Sequence, residues 1–439
     1  MKKALFCFIA VWMCLLLFGC DMRTVDEMYA LPARPAADHN LEQVINEAMT
    51  GLDYCAPKAG NNQQIVQMAD LDGNNEMECI VFAKGDDIHP LKIMIFDKKK
   101  DTYCLVDTIS FNGSAFDQVE FAQIDGKSGV EIVVGRQLND RVVRSVSVYS
   151  FRPGHFEQLL NTDYSNFIVA DLDEDGLQEL FITRPGSLVS DHGVAELFEV
   201  KVDTMERSVE VPLSAPEDGI RQITVSGLQD KQTAIYVSTA YGENALITDV
   251  LTVKNGELCK LANPTPVETI RNYYVYAQDI DNDGIMELPF LVDMVSVTQS
   301  SQAAINKLIG WYSLDSSGVQ TIKTYTYHNY IESWYLEIQP QWVNVITAAK
   351  QDNEYDFFLW DRQYRVPMRM FSIVAHTGHN REELAQQTGS VILLKLDSII
   401  YAATITETGE KHGVTAEGLR KSFHKIWQDW KEDERLGVS

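Results

Sequence analysis

Residues 171–180 read Asp-Leu-Asp-Glu-Asp-Gly-Leu-Gln-Glu-Leu, and this acidic string decides the fold because it recurs along the chain. Residues 279–288 read Asp-Ile-Asp-Asn-Asp-Gly-Ile-Met-Glu-Leu, and residues 70–80 read Asp-Leu-Asp-Gly-Asn-Asn-Glu-Met-Glu-Cys-Ile. Two degraded copies, which begin at Gln123 and Ser226, keep the frame with fewer acids. The five copies start at 70, 123, 171, 226 and 279. A repeat of about fifty residues is typical of propellers and other repeat architectures.

Each acidic string stands between two short apolar runs. In the first copy these runs are 65–69 and 80–83, and they are rich in the β-branched and aromatic residues that favour strands. A third and a fourth run follow in most copies, for example at 197–202 and 208–213. Four strands in each repeat predict a mainly β fold, a β-propeller of about five or six four-stranded blades over residues 41–330. A sixth blade would be completed from the N-terminal segment or from strands near Trp334.

The acidic strings are not EF-hand loops, which require a bidentate Glu at the twelfth position. Counted from the first Asp of each intact copy, the twelfth residue is apolar: Val81, Ile182 and Phe290. The ninth residue is acidic in all three: Glu78, Glu179 and Glu287. The pattern therefore indicates a nine-residue loop that joins two strands.

These loops resemble the FG-GAP or VCBS type of repeat found in calcium-binding β-propellers, over roughly residues 55–330. The resemblance implies that Ca²⁺ is held by loop positions one, three, five and nine and by the carbonyl of position seven. The implied ligands in the third loop are Asp171, Asp173, Asp175, Leu177 and Glu179. Those in the fifth loop are Asp279, Asp281, Asp283, Ile285 and Glu287. Those in the first loop, where a third ion would bind weaker ligands, are Asp70, Asp72, Asn74, Glu76 and Glu78.

The charge of the loops predicts a bound cation independently of the resemblance to that family. Four carboxylates within nine residues repel one another, and a divalent cation with a flexible shell of oxygen ligands removes that repulsion. Ca²⁺ suits such a loop better than Mg²⁺, which demands strict octahedral geometry. Gly176 and Gly284 are expected to supply a backbone conformation that a side chain opposes. The alternative is that the loops are only turns rich in Asp and Gly. In either case we expect a structural role and not a catalytic one.

The N-terminus has the features of an export signal. Lys2 and Lys3 precede an apolar stretch from 4 to 19, which is too short for a typical spanning helix and suits a signal peptide over residues 1–19. Residues 17–20, Leu-Phe-Gly-Cys, resemble a bacterial lipobox, which implies a lipid on Cys20 and a location on the outer face of the cell membrane. The alternative is a cleaved soluble signal. Residues 20–40 would then be the lipidated cysteine and a tether. The whole chain also resembles uncharacterised lipoproteins of gut-dwelling Gram-positive anaerobes.

Composition excludes several classes of protein. The chain has 439 residues, 45% of them hydrophobic, and 63 acidic against 37 basic residues give a net charge of −26. Such a charge argues against nucleic acid as a partner, because phosphate binding depends on Lys and Arg. The four later cysteines fit neither a disulfide scaffold nor a zinc pattern and are expected to be free: Cys55, Cys79, Cys104 and Cys259.

Both ends of the globular part show further elements. An amphipathic helix is predicted over 41–49, capped by Asn40 and stopped by Gly51. After residue 330 the period ends, and six short apolar runs predict antiparallel strands in a small α+β domain over residues 331–439. A final helix is predicted to follow Thr415, with its apolar stripe at Leu419, Phe423, Ile426, Trp427 and Trp430.

The chain carries no Gly-x-Ser-x-Gly elbow, no phosphate loop and no His-Glu-x-x-His pair. The leading hypothesis is therefore a lipid-anchored surface protein whose calcium-stabilised propeller binds a protein or a glycan. The rival is a polysaccharide-active glycosidase or lyase with its site at the propeller mouth or in the interdomain cleft, since paired carboxylates cannot be recognised among so many acids. A structural partner in a larger envelope complex is a third hypothesis.

Overall fold

The structure is a computed structural model that describes residues 36–100, 102–138, 143–152, 155–186, 191–242, 245–261, 270–271, 275–295, 307–361, 366–387 and 389–426. The predicted signal peptide, Cys20 and the tether as far as residue 35 lie outside these residues. None of the helices in the described ranges is long and apolar enough to cross a membrane.

The described residues form six antiparallel sheets, which follow one another in sequence order except that residues 423–425 return to the fifth sheet. The first contains β1 (Asp53–Tyr54), β2 (Val66–Ala69), β3 (Glu78–Lys84), β4 (Leu91–Lys99) and β5 (Thr102–Phe111). The second contains β6 (Ala115–Ala122), β7 (Glu131–Gln137), β8 (Arg144–Arg152) and β9 (His155–Tyr164). The third contains β10 (Asn166–Ala170), β11 (Glu179–Arg184), β12 (Val194–Lys201) and β13 (Thr204–Pro212).

The remaining three sheets carry additional strands. The fourth contains β14 (Ile220–Gly227), β15 (Thr233–Tyr241), β16 (Ala245–Lys254), β17 (Glu257–Lys260) and β18 (Ile270–Arg271). The fifth contains β19 (Leu288–Asp293), β20 (Lys307–Leu314), β21 (Gln320–Asn329), β22 (Trp334–Glu337) and β28 (Phe423–Lys425). The sixth contains β23 (Ile346–Gln351), β24 (Glu354–Asp361), β25 (Val366–Thr377), β26 (Ser390–Lys395) and β27 (Ile399–Ile405).

The prediction of a mainly β chain with four-stranded sheets is confirmed. The strands after the first and third loops are buried on both faces, as the continuous apolar runs at 79–83 and 180–182 indicate, whereas in β19, after the fifth loop, only the first two residues are buried. In the series β2–β5, β6–β9, β10–β13 and β14–β17, each strand pairs with the next one in the chain in antiparallel fashion. The four cysteines within the described ranges are free thiols, as expected.

The core consists of layers between consecutive sheets. One hydrophobic cluster joins the first sheet to the second, and similar clusters join the second to the third, the third to the fourth, the fourth to the fifth and the fifth to the sixth. The other face of the first sheet is covered by α1 (Ala36–Ala48), which buries Ile45 and Met49 against Val81 and Phe96. Among the described residues, no hydrophobic cluster joins the sixth sheet to the first.

Helix α1 begins earlier than predicted. It starts at Ala36, so Asn40 lies inside the helix and cannot be its N-cap. The Asn40 side chain instead accepts a hydrogen bond from the backbone N–H of Tyr103, at 2.6 Å, which ties α1 to the outer strand of the first sheet. Gly51 has a φ of 80° after the helix, in agreement with its predicted role as a stop.

The residues after 330 contribute to two sheets. Strand β22 pairs with β21 and β28 pairs with β22, so the predicted boundary at 330/331 falls within the fifth sheet. The predicted C-terminal unit otherwise corresponds to the sixth sheet and three short helices, α2 (Arg381–Ala385), α3 (Glu407–Lys411) and α4 (Ala416–Ser422). Two 3₁₀ turns complete the described elements, Glu217–Gly219 and Pro340–Trp342.

The predicted final helix is shorter than its apolar stripe. Thr415 caps α4 by accepting a hydrogen bond from the N–H of Gly418 at 3.0 Å, as expected. The helix ends at Ser422, however, because Phe423 enters a strand that pairs with Leu336. Phe423 also packs on the Trp334 ring, with 5.5 Å between the ring centroids. Trp427 and Trp430 lie outside the described residues.

Candidate metal centre

Each intact acidic loop leads into a strand of its sheet. The first loop connects β2 to β3, and the third connects β10 to β11. The fifth loop follows an isolated antiparallel bridge between Gln278 and Glu287 and leads into β19. The ninth loop residue stands at the start of the following strand, which places its carboxylate beneath the loop.

The three loops share one backbone conformation. Positions four and six have positive φ in all of them, a region that residues with side chains seldom adopt. The values at position four are 73° for Gly73, 64° for Glu174 and 58° for Asn282. The values at position six are 65° for Asn75, 92° for Gly176 and 84° for Gly284. The expectation that Gly176 and Gly284 supply an unusual backbone conformation is confirmed.

The same backbone hydrogen bonds hold the acidic side chains in each loop. The position-six N–H donates to the position-one carboxylate: Asn75 to Asp70 at 3.0 Å, Gly176 to Asp171 at 3.1 Å and Gly284 to Asp279 at 2.8 Å. The position-seven N–H donates to the position-five side chain: Glu76 to Asn74 at 2.6 Å, Leu177 to Asp175 at 2.8 Å and Ile285 to Asp283 at 2.9 Å. Each loop therefore orients its own oxygen atoms before any ion binds.

The ninth-position glutamates are buried and only half partnered. One oxygen of each accepts a backbone N–H from position two, at 2.6 Å for Glu78, 2.7 Å for Glu179 and 3.1 Å for Glu287. Glu78 and Glu287 are 0% exposed, yet the Oε1 atom of each has no hydrogen-bond partner among the described residues. Asp171 Oδ1 is likewise buried without a partner within the described part of the chain. Buried polar atoms are rarely left without a partner, so these oxygens point to a missing positive group.

The electrostatic environment agrees with this geometry. Burial raises the pKa of the Glu78, Glu179 and Glu287 carboxyls from 4.5 to about 7, against the opposing effect of their backbone hydrogen bonds. Neighbouring loop aspartates raise these pKa values further, because each adds a like charge. A bound cation would favour the ionised form of all these groups.

The structure brings most of the predicted ligands together. Three groups of carboxylates each place one oxygen per residue within 4.8 Å of the others: Asp171, Asp173, Asp175 and Glu179; Asp70, Asp72 and Glu78; Asp279, Asp281 and Glu287. Each group could hold a metal ion such as calcium. The seventh-position carbonyls of Glu76, Leu177 and Ile285, and the Asn74 side chain, remain predicted ligands.

Asp283 is the predicted carboxylate that stands apart from its group. Its Oδ2 atom lies 2.5 Å from the ammonium of Lys323, on β21 of the same sheet, and Asp281 Oδ2 lies 4.0 Å from that nitrogen. Nothing in the loop sequence signals Lys323, since it lies 40 residues further along the chain.

The degraded second loop is neutralised by the chain itself. Its Asp125 carboxylate accepts a hydrogen bond from the guanidinium of Arg152, and Glu131 Oε1 accepts one from the Ser150 hydroxyl at 2.8 Å. Lys127 occupies the fifth position of this loop, and its ammonium lies 3.8 Å from Asp125. The nearer cation is therefore Arg152, which the sequence did not indicate. In the fourth loop Asp230 accepts hydrogen bonds from the backbone and hydroxyl of Ser316.

The five loops form a continuous row, because each one is hydrogen-bonded to the next. In chain order the pairs are Val130 N to Asp70 O at 3.1 Å, Gln178 N to Gln123 O at 2.8 Å, Thr233 N to Glu174 Oε1 at 3.1 Å and Met286 N to Gly227 O at 3.3 Å. The loops thus link neighbouring sheets in addition to the hydrophobic layers.

Known proteins give little further guidance. No family model matches the chain, and no curated protein matches it. Among solved structures, a protein from Lactobacillus plantarum is 10% identical, with 72% of this chain and 85% of that chain covered and a TM-score of 0.30. A Bacillus licheniformis rhamnogalacturonan lyase is 12% identical, with 81% and 72% covered and a TM-score of 0.30. Similarities of this extent carry no argument about activity.

Proposed function

We propose that the chain is a lipid-anchored cell-surface protein in which Ca²⁺ stabilises a propeller-type domain that binds a protein or a glycan. The observation that carries the calcium part is a set of buried carboxylate oxygens that have no hydrogen-bond partner within the described residues: Glu78 Oε1, Asp171 Oδ1 and Glu287 Oε1, one in each intact loop. Each belongs to a group whose other members are also carboxylates. These three buried oxygens therefore lack the positive partner that burial of a carboxylate requires.

The donor set favours calcium over other metals. All the grouped atoms are carboxylate oxygens, which suit hard cations and not the softer ions that prefer nitrogen or sulfur. The loops offer additional oxygens nearby, at the Asn74 amide and at the predicted seventh-position carbonyls. A site with many oxygens and unequal geometry matches the tolerance of Ca²⁺ for six to eight ligands, whereas Mg²⁺ keeps several of its waters.

A structural role fits the position of the loops. Each loop joins two strands of one sheet and is hydrogen-bonded to the loop of the neighbouring sheet. An ion that fixes one loop therefore supports both the sheet and its junction with the next. We infer that the bound ions preserve the row of sheets as a rigid platform and that the chemistry of recognition lies elsewhere on that platform.

The finer architecture belongs to the same proposal. Six sheets of antiparallel strands, packed face to face in chain order, are what blades of a propeller-type array would be. We propose six such blades, the sixth supplied by β23–β27 from the predicted C-terminal unit. The lipobox at residues 17–20 and the acidic surface support an anchored protein outside the cell whose partner is not an anion.

Calorimetry tests the calcium part of the proposal. The chain lacking residues 1–20 should release or absorb heat on titration with Ca²⁺, and chelator should lower its melting temperature. Asp173→Asn should weaken binding, because it removes one of the four charges of the third loop. Asp203→Asn is the matched control, since this exposed aspartate lies outside the intact loops. If no heat appears and chelator leaves melting unchanged, the loops are turns only.

The binding part needs a separate experiment. The same protein is applied to an array of glycans and surface proteins in the presence of Ca²⁺, and the bound class identifies the ligand. Each glycan is then incubated with the protein and analysed for cleavage products. Turnover that a single carboxylate substitution outside the loops abolishes would replace the binding function with that of a polysaccharide-active enzyme.

A further inference from the structure

The third and fifth loops have the same acids at ligand positions and yet differ in geometry. Both carry Asp, Asp, Asp and Glu at positions one, three, five and nine. In the third loop all four carboxylates form one group, whereas the group in the fifth loop contains three. The missing member is Asp283, at position five.

Most backbone contacts are the same in the two loops. The position-six N–H donates to the position-one carboxylate in both, and the position-seven N–H donates to the position-five carboxylate at 2.8 Å in one and 2.9 Å in the other. The position-five N–H differs, because it donates to position three in the third loop, at 3.2 Å, and to position one in the fifth, at 3.0 Å. A further difference is a contact of the Asp283 carboxylate with a side chain outside the loop.

That side chain is Lys323. Its ammonium lies 2.5 Å from Asp283 Oδ2 and 4.0 Å from Asp281 Oδ2, so it faces two of the predicted ligands. Its side chain is 23% exposed, and a lysine stem is flexible enough to move outward when another cation enters. Within the described residues, no lysine or arginine forms an ion pair with a carboxylate of the third-loop group.

We propose that Lys323 is a built-in counter-cation that competes with Ca²⁺ for the fifth loop, so that this loop binds Ca²⁺ more weakly than the third. The inference rests on the proposed calcium function. To bind Ca²⁺ with all four acids, the loop must first separate Asp283 from Lys323, and the displaced ammonium still repels the ion.

In both the second and the fifth loop a basic side chain from another strand neutralises loop carboxylates, but to different extents. In the second loop Arg152 binds Asp125 and Ser150 satisfies Glu131, so no buried carboxylate oxygen of that pair lacks a partner. In the fifth loop Lys323 contacts the outer aspartates but leaves Glu287 Oε1 buried without a partner among the described residues. The ammonium therefore replaces an ion only in part, and the fifth loop retains a requirement for a cation.

The test compares Ca²⁺ titrations of the chain lacking residues 1–20 with those of Lys323→Met, which keeps the aliphatic stem and removes the charge. The weaker binding step should tighten on the order of tenfold, because a unit positive charge beside two of the predicted ligands is removed. Lys323→Arg should leave that step weak. Lys307→Met is the matched control, since Lys307 pairs with Asp293 in the same sheet, outside the loop.

Two more variants assign the tightened binding step to a loop and control for misfolding of Lys323→Met. Asp281→Asn in the Lys323→Met background should remove the tightened step, which assigns it to the fifth loop. If Lys323→Met melts abnormally in chelator, Lys323→Gln replaces it. Ca²⁺ affinities unchanged by loss of the Lys323 charge would overturn the inference and leave the calcium function intact. Absence of any Ca²⁺ heat in the natural sequence would instead overturn the calcium function itself.

Discussion

Replacement of a buried loop glutamate should stabilise the protein when metal is removed and weaken it when metal is present. Glu78 is 0% exposed, and burial raises its pKa from 4.5 to about 7. A carboxyl with a raised pKa binds its proton more tightly in the folded state, so the metal-free protein loses stability as the pH rises from 4.5 to about 7. That difference corresponds to about 3 kcal/mol for the ionised group at pH 8.

Glu78→Gln removes this penalty and keeps an oxygen that can accept the N–H of Leu71. In chelator at pH 8 the variant should therefore melt at a higher temperature than the natural chain, and at pH 5 the gap should close. In excess Ca²⁺ the order should reverse, because the amide supplies no charge to the ion. The comparison between variants is essential, since the net charge of −26 alone makes acidic pH favourable.

Melting temperatures are measured in chelator at pH 5 and pH 8 and in Ca²⁺ at pH 8. Glu131→Gln is the matched control, because the equivalent glutamate of the second loop has Ser150 as a partner for its second oxygen. The change in melting temperature on addition of Ca²⁺ should be the same for Glu131→Gln as for the natural chain, because the three intact loops are unaltered. A Glu78→Gln protein that melts below the natural chain in chelator at pH 8 would refute the reasoning.

Three further substitutions examine other parts of the structure by thermal melting. Gly176→Ala should destabilise the fold by about 1–2 kcal/mol, because the φ of Gly176 is 92° and no atom lies near the added carbon. Gly176→Asn should lose less stability, because Asn75 adopts a positive φ at the same loop position. Equal losses of stability would contradict the backbone explanation. Arg152→Met should destabilise by about 3 kcal/mol, because it leaves the buried Asp125 carboxylate with only the more distant Lys127 ammonium as a counter-cation. Asp125→Asn in the same chain should restore part of the loss, and no restoration would exclude charge as the cause. Ile45→Ala should destabilise the fold by about 2–4 kcal/mol, because Ile45 is buried against the first sheet. Glu47→Ala should have little effect on stability, because Glu47 is exposed on the same helix. Equal effects would mean that α1 is not packed on the first sheet.

The sequence predicted what depends on neighbouring residues and missed what depends on distant ones. The acidic loops and the strands beside them were foreseen, because ligand spacing and alternation of apolar residues are local properties. Lys323 and Arg152 were not, since each reaches its loop from another strand of the sheet. No spacing rule connects a loop to a side chain on a strand that begins tens of residues later.

The final helix illustrates a different cause of error. The stripe that includes Leu419 and Phe423 has helical spacing, yet the chain leaves the helix after Ser422. Pairing with β22 satisfies the backbone of Phe423 and packs its ring against Trp334 and Tyr401. Tertiary contact thus overrides a periodicity that would be sufficient in isolation.

Helix α1 also limits where the array of sheets could have been extended by duplication. It buries Ile45 and Met49 on the first sheet and turns Glu42, Gln43 and Asn46 to solvent. A duplicated unit inserted between two existing sheets would find an apolar face on either side. A unit added before the first sheet would meet the polar side of the helix and have no surface on which to pack. Expansion of the array by duplication is therefore expected to occur internally, with the N-terminal boundary preserved.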